Sequence, residues 1–321
     1  MRFRKLSLFP LLLLLTVTAG AAQDAYPSHP VRLVHGFAAG GNADTVSRII
    51  ANEMSRGLGQ TVVVEPKPGA GGNIASAAVA KSPADGYTLI LLTGGHTVSA
   101  ALYKSLQFDP VGDYAFVSTV TKFPFFIAVR PNTFASLNEL VARAQANPGG
   151  VTFGSAGIGT TQHLTGELLA LQSGTRFTHV PYQGDATATT ALLRGEIDML
   201  VNTGAGLAGQ LAAGAVQVIG VSSKDRWGRT PEVPTIAETV LPGFDIVSWT
   251  GLAVPAGTPA PIVAKLRAEL HRALAAPEIQ ERLRTLDSEP APSSGEDMKD
   301  LIKRQIGVWT RAVQEAGIEQ R

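Results

Sequence analysis

The chain contains no cysteine. That absence excludes disulfides, thiolate metal sites and cysteine nucleophiles, so stability has to come from packing. Anchoring through an acylated N-terminal cysteine is excluded with them. Charge of one sign is equally missing: 27 Lys and Arg stand against 26 Asp and Glu, with no block of like charge. No electrostatic footprint for nucleic acid results, and no nucleic-acid partner is expected. Six histidines occur without H-E-x-x-H or H-x-H spacing. No metal site is expected from them.

Long apolar runs are missing beyond the N-terminus. The one present, "LFPLLLLLTVTAG", follows Arg2, Arg4 and Lys5 and precedes the small residues "AGAAQ". It is shorter than the roughly 18 to 20 residues that span a bilayer, and reads as a secretory signal peptide over residues 1–22, cut near Ala21 or Ala22. A soluble, secreted product is expected. About 300 residues remain, enough for a large core and, at roughly 150 residues per domain, for two domains.

From Val31 onward, short β-branched runs alternate with helical patterns. "VRLVHGF" is followed by a helix whose Val46, Ile49, Ile50, Met54 and Leu58 form one apolar face. "QTVVVE", a small-residue helix from Asn73 to about Lys81, and "GYTLILLT" continue the series as a parallel doubly wound sheet. After a mixed stretch over 103–126 the alternation restarts with "FFIAVRP", a helix from about Ser136 to Ala146, and "VTFGS". "DIVSWTGLAVP" is one more strand, and the rest is helical, ending in a helix opened by a capping box of Ser294 and Asp297.

Three turns share one architecture, a strand followed by small residues and then a helix start: "GFAAGGNAD", "KPGAGGN" and "GSAGIGTT". In an open α/β sheet such turns lie at the C-terminal edge of the strands, where ligands bind. Their glycines admit close approach, and the first helical N–H groups are free donors at a positive dipole end. The favoured chemistry is anion capture without charged side chains. Phosphate motifs fail in detail. Asn42 follows Gly41 where a Walker A loop needs Lys, and "GSAGIG" reverses the dinucleotide spacing. No cofactor is expected.

Asp44 reads either as a helix cap or as a receiver of a ligand ammonium or hydroxyl. His163 reads either as a cleft residue or as a structural histidine. Ser155, His163 and Asp44 can be drawn as a hydrolytic triad, but "FGSAG" is not the G-x-S-x-G elbow. A secreted serine hydrolase is thus the weaker alternative, and no enzyme is expected.

Taken in order, "GGNAD", "LGQTVVVEPKPGAGGNIA", "VAKSPADGYTLIL", "LYKSLQFDPVGDYAFVS", "NPGGVTFGSAGIGTTQHLTGELL", "THVPYQG", "LLRGEID" and "LPGFDIVSWTGLAVPAGTPAPIVAKL" resemble the extracytoplasmic solute receptors of the tripartite tricarboxylate transporter family, the Bug proteins. The resemblance covers nearly all of the mature chain. It implies an α/β, type II periplasmic-binding-protein fold, with two doubly wound lobes joined by a two-stranded hinge. Residues 27–125 and 246–321 would form lobe 1 and 126–245 lobe 2, with crossings near 122–130 and 243–252.

By position, the resemblance implies ligand contacts from Phe37, Ala39, Gly41, Asn42, Ala43, Asp44, Ala70, Gly71, Thr93 and His96 on the first lobe. On the second it implies Ser155, Gly157, Gly159, Thr160, Thr161, His163, Tyr182 and Asn202. Gly159→Asp is expected to place bulk and negative charge against the bound carboxylate. "GFAAGG" stands where relatives often carry "PFPPGG", and "VNTGAG" follows "EIDML" where they tend to have "FDN". The implied function is monomeric capture of a small carboxylic acid for the permease subunits of a tripartite tricarboxylate transporter. The alternative within the same class is an orphan receptor serving a sensor.

Overall fold

The structure is a computed structural model describing residues 26–321, and the expected signal peptide lies outside the described residues. No helix among the described residues is long and apolar enough to cross a membrane. The chain opens with β1 (Val31–His35), α1 (Asn42–Leu58), β2 (Val62–Pro66), a 3-10 turn at Ala70–Gly72, α2 (Asn73–Ala80), β3 (Thr88–Thr93), α3 (Gly95–Leu102) and β4 (Tyr114–Pro124). A second set follows: β5 (Phe126–Val129), α4 (Leu137–Ala146), β6 (Val151–Ser155), α5 (Thr161–Gln172), β7 (Phe177–Pro181), α6 (Asp185–Arg194), β8 (Met199–Asn202), α7 (Gly204–Ala212), β9 (Gln217–Val221) and α8 (Ile236–Thr239). The chain then returns through β10 (Val247–Pro255), α9 (Ala260–Ala275), α10 (Pro277–Arg284), β11 (Glu289–Pro290) and α11 (Gly295–Glu315).

These strands make two sheets, ordered β11-β4-β10-β3-β1-β2 and β7-β6-β8-β5-β9. The βαβ stretches are parallel, as the continuous apolar strands require. Neither sheet is wholly parallel, however. β10 runs antiparallel to both β3 and β4, and β5 runs antiparallel to both β8 and β9. Each of these strands arrives from the opposite lobe, and that return path sets its direction.

The chain changes sheet at Phe125, between β4 and β5, and again between β9 and β10. Ser222 ties the two crossings together. Its hydroxyl accepts from the Phe125 amide at 2.8 Å and donates to the Ile246 carbonyl at 2.6 Å. Its backbone exchanges further bonds with the same two residues. The two chain crossings between the lobes are thus held together by one set of hydrogen bonds.

Burial follows the periodic faces. Val46, Ile50 and Met54 of α1 pack with Val31 and Leu33 of β1 in the first core, and Leu266 and Leu270 of α9 cover the same side. In the second core Phe153 of β6 meets Leu164, Leu168 and Leu169 of α5. That cluster continues through Phe123 and Phe125 to Val98 and Leu102 of α3 and to Trp309 and Val313 of α11. Apolar packing therefore crosses from one lobe to the other. Truncating Phe153, which is fully buried, to alanine should cost about 3–5 kcal/mol.

The long strand β4 falls in the stretch that sequence periodicity leaves unassigned. Its Ser118, Thr119 and Thr121 are buried polar residues, which breaks the apolar pattern. They are satisfied by neighbours far away in sequence: Thr121 by Thr250, Thr119 by Ala291, Ser118 by the Ser293 amide. At the C-terminus the capping box of Ser294 and Asp297 opens α11, and Met298, Ile302, Trp309 and Val313 are its buried face.

Candidate functional site

Five helices begin around one cavity between the lobes. Its walls include Asn42 and Ala43 of α1, Gly95 of α3, Thr161 and Gln162 of α5, Asp185 of α6, and Thr203, the N-cap of α7. Phe37, Phe123, Phe125 and Ala156 supply an apolar lining, and Thr93, Thr160 and Ser248 complete the walls. A helix start leaves its first amides unpaired and carries a partial positive charge. Several such ends on one cavity favour an anion without any basic side chain. No Lys, Arg or His lines this cavity among the described residues.

At α5 the Thr160 side chain caps the helix by accepting from the His163 amide. The amides of Thr161 and Gln162 find no acceptor among the described residues. The Thr161 hydroxyl is buried and has no hydrogen-bond partner among them either. A hydroxyl in that state costs about 1–3 kcal/mol unless something else satisfies it. Since Thr161 lines the cavity, the structure offers a donor there at a standing cost.

At α1, Gly41 is the N-cap and has no side chain to offer. The cap comes instead from the other lobe: the Asp185 carboxylate accepts from the Asn42 amide at 2.8 Å. Asp185 also accepts from Gln162 Nε2 at 2.7 Å and from Thr203 Oγ1 at 3.1 Å. Asn202 sits behind this network, accepting from Gln162 and from the Thr203 amide and donating to Thr189.

Asp44 is buried in the first turn of α1 and is fully engaged. It accepts from the Gly40 amide at 3.0 Å, from Arg48 Nε at 3.0 Å and from His35 Nε2 at 3.2 Å. Burial alone would raise its pKa, but the Arg48 and Gly40 hydrogen bonds and the nearby charges outweigh it, and the net direction is downward. Asp44 is thus held within its own lobe as a first-turn acid, while Gly41 is the N-cap.

The contacts expected on the strength of the resemblance fall into separate places. Phe37, Asn42, Ala43, Thr93, Thr160 and Thr161 line the main cavity. Ala70, Gly71, Gly157 and Tyr182 line a neighbouring one. Ala39 is exposed on its loop, and Gly41 is buried beneath the α1 start. His96 turns away into an aromatic nest, 2.8 Å from the Pro110 carbonyl and stacked on Phe108. Burial drives its pKa down to about 4. Gly159, at φ +80, would put a side chain 2.9 Å from Tyr103 Cε2. Gly159→Asp would therefore strike α3 and the chain after it, and the expectation that its charge would face the bound anion is corrected accordingly.

The drawn triad does not assemble. Ser155 is fully buried, and its hydroxyl lies 2.7 Å from His179 Nε2. His163 lies tilted against His179 with ring centroids 4.3 Å apart, and Asp44 belongs to the His35 and Arg48 cluster of the other lobe. Burial lowers the pKa of His163 to about 4, with a further push from Arg321, and that of His179 to about 3. His163, Glu167 and His179 hold donor atoms within 4.8 Å of one another, the one such group among the described residues. His179 already faces Ser155, the Arg321 charge lies near, and the two imidazoles pack against each other. The group is built as an aromatic packing unit.

Sequence reasoning passed over Gln162, Asp185, Thr203, Ser248, Phe123 and Phe125. Gln162 follows directly on the glycine turn, and Asp185 follows "YQG" at a helix start, so both had a local signal. The two phenylalanines had none, because their place is set by the crossing between sheets.

The pattern of the tripartite tricarboxylate transporter family receptor matches residues 46–318. The periplasmic binding protein BugD is 34% identical with a TM-score of 0.89, over 92% of this chain and 100% of BugD. A protein of R. palustris solved with adipate is 32% identical with a TM-score of 0.89, over 92% of this chain and 99% of its own. MatC from Rhodopseudomonas palustris, solved with bound malate, is 32% identical with a TM-score of 0.86, over 90% of this chain and 100% of its own. The chain belongs to the tripartite tricarboxylate transporter receptor family, a family of periplasmic binding proteins and not of enzymes.

Proposed function

We propose that the chain works in the periplasm as a monomeric receptor that captures a small carboxylate-bearing compound between its lobes and delivers it to a tripartite tricarboxylate-type transporter. The observation that carries this reading is the buried, unpartnered Thr161 hydroxyl on a cavity ringed by helix N-termini from both lobes. Two relatives holding adipate and malate support it. Residues 27–125 with 246–321 act as one lobe and 126–245 as the other, closing about the seam at Phe125, Ser222 and Ile246.

A carboxylate fits because its two oxygens can take the Thr161 hydroxyl together with free first-turn amides of α5 and α3. Hydrogen bonds to a charged group contribute about 1.5–3 kcal/mol each, and a helix N-terminus about 0.3–2 kcal/mol. Closure removes water and strengthens both terms. Phe37, Phe123 and Phe125 then cover the body of the ligand.

A thermal-shift screen against a carboxylic-acid library, with mass spectrometry of what co-purifies, tests the binding half. Stabilisation by one or more carboxylates is expected, and a response confined to non-acidic compounds would overturn it. Uptake of the identified acid by cells with and without this chain tests delivery. Uptake that does not depend on the chain would remove the transport role.

A further inference from the structure

The cavity is uneven in charge. Toward one end it offers hydroxyls: a side chain at Gly94 would meet Ser248 Oγ at 2.5 Å and Thr161 Oγ1 at 2.9 Å, so these two groups face the same point. Thr93 Oγ1 lies beside the neighbouring Gly95. These groups, with the N-termini of α3 and α5, have capacity for one anion. The other end already holds one. The Asp185 carboxylate, 7% exposed, occupies the starts of α1, α6 and α7. It uses up the Asn42 amide, the Gln162 side-chain amide and the Thr203 hydroxyl.

A ligand with carboxylates at both ends would set its second charge against Asp185, with no cationic side chain on the wall to compensate. Like charges at close range in a water-poor cavity repel strongly. The donors that would otherwise receive the second carboxylate are the ones Asp185 has taken. A ligand with one carboxylate and an uncharged body suits the remaining surface, which is phenylalanine and alanine. A hydroxyl or amine at its far end would find in Asp185 an acceptor.

Resting on the carboxylate reading above, we propose that Asp185 determines specificity: it makes this receptor select a monocarboxylate with an apolar or hydrogen-bond-donating far end and reject di- and tricarboxylates. Asp185 acts as a built-in second anion, filling from within the protein the place that the far carboxylate of a longer diacid would need. The adipate and malate held by the two relatives are dicarboxylates, so the expected preference separates this chain from both.

The test is titration calorimetry on the full mature chain with matched pairs that differ in the second carboxylate: butyrate and succinate, hexanoate and adipate, benzoate and terephthalate. In the pair containing the tightest ligand, the monoacid is expected to bind at least tenfold tighter. Asp185→Asn is expected to narrow that ratio tenfold or more, mainly by gain of the diacid. Asp185→Ser serves the same purpose should the asparagine variant fail to fold. A diacid preferred by the unaltered chain, or a ratio unmoved by both variants, overturns the role of Asp185 and leaves the carboxylate reading standing. Absence of binding by all six acids overturns the carboxylate reading and this proposal together.

Discussion

Replacing Thr161 by valine removes a hydroxyl and keeps the shape of the side chain. In the ligand-free protein that hydroxyl is buried without a partner, so its loss should relieve a desolvation penalty of about 1–3 kcal/mol. The ligand-free variant should therefore be as stable as the parent or more so, with a melting temperature raised by a few degrees. Binding should move the other way. A hydrogen bond to a carboxylate contributes about 1.5–3 kcal/mol, and at about 1.4 kcal/mol per tenfold this is a loss of roughly 10- to 150-fold in affinity. Differential scanning fluorimetry reads the first effect and titration calorimetry with the tightest acid from the screen reads the second. The opposed signs are the point of the experiment. A variant that loses stability and affinity together would show that the hydroxyl holds the fold, and unchanged affinity would show that it never meets the ligand.

Other outcomes follow from the same geometry. Gly71 sits at φ +63, and a side chain there would overlap the Ile158 carbonyl of the facing lobe; Gly71→Ala should weaken binding at least tenfold and give a more open particle in small-angle scattering, which an unchanged profile would contradict. His96, His163 and His179 are held neutral by burial, with pKa values near 4, 4 and 3. The unfolded chain takes up protons below about pH 6.5 while the folded chain resists. Stability should thus be full above that pH and fall toward pH 4, by up to about 1.4 kcal/mol per unit for each histidine; urea melts that coincide at pH 7.5 and 5 would refute this. Burial and the charges of Glu232 and Glu289 raise the Asp287 pKa to about 6 against the pull of Arg229. Its burden on stability sets in as pH rises from about 4 through 6. Asp287→Asn, compatible with the left-handed backbone at this position, should melt higher than the parent at pH 7.5 and equal to it below pH 4.

Much of this arrangement was legible in the sequence, and for local reasons. The apolar stripe of α1, the glycine turns before α1 and α5, and the capping box of α11 are each written within about a dozen residues. What escaped depends on distant partners. β4 reads as neither strand nor helix because its buried serine and threonines are satisfied by β10 and the segment near β11. The direction of β10 depends on its return from the second lobe. His96 sits in a promising turn, yet its ring follows Phe108 and Tyr114 into the core. Asp185 is the sharpest case: 143 positions separate it from Asn42, and only the closed arrangement of the lobes makes it the cap of α1.

A crystal structure of the mature chain with its tightest carboxylate tests the central claim most directly. One carboxylate oxygen is expected about 2.6–2.8 Å from Thr161 Oγ1, with further contacts from first-turn amides of α5 and α3 and the body of the ligand between Phe37, Phe123 and Phe125. A carboxylate held elsewhere, with the Thr161 hydroxyl still unpartnered, would contradict it.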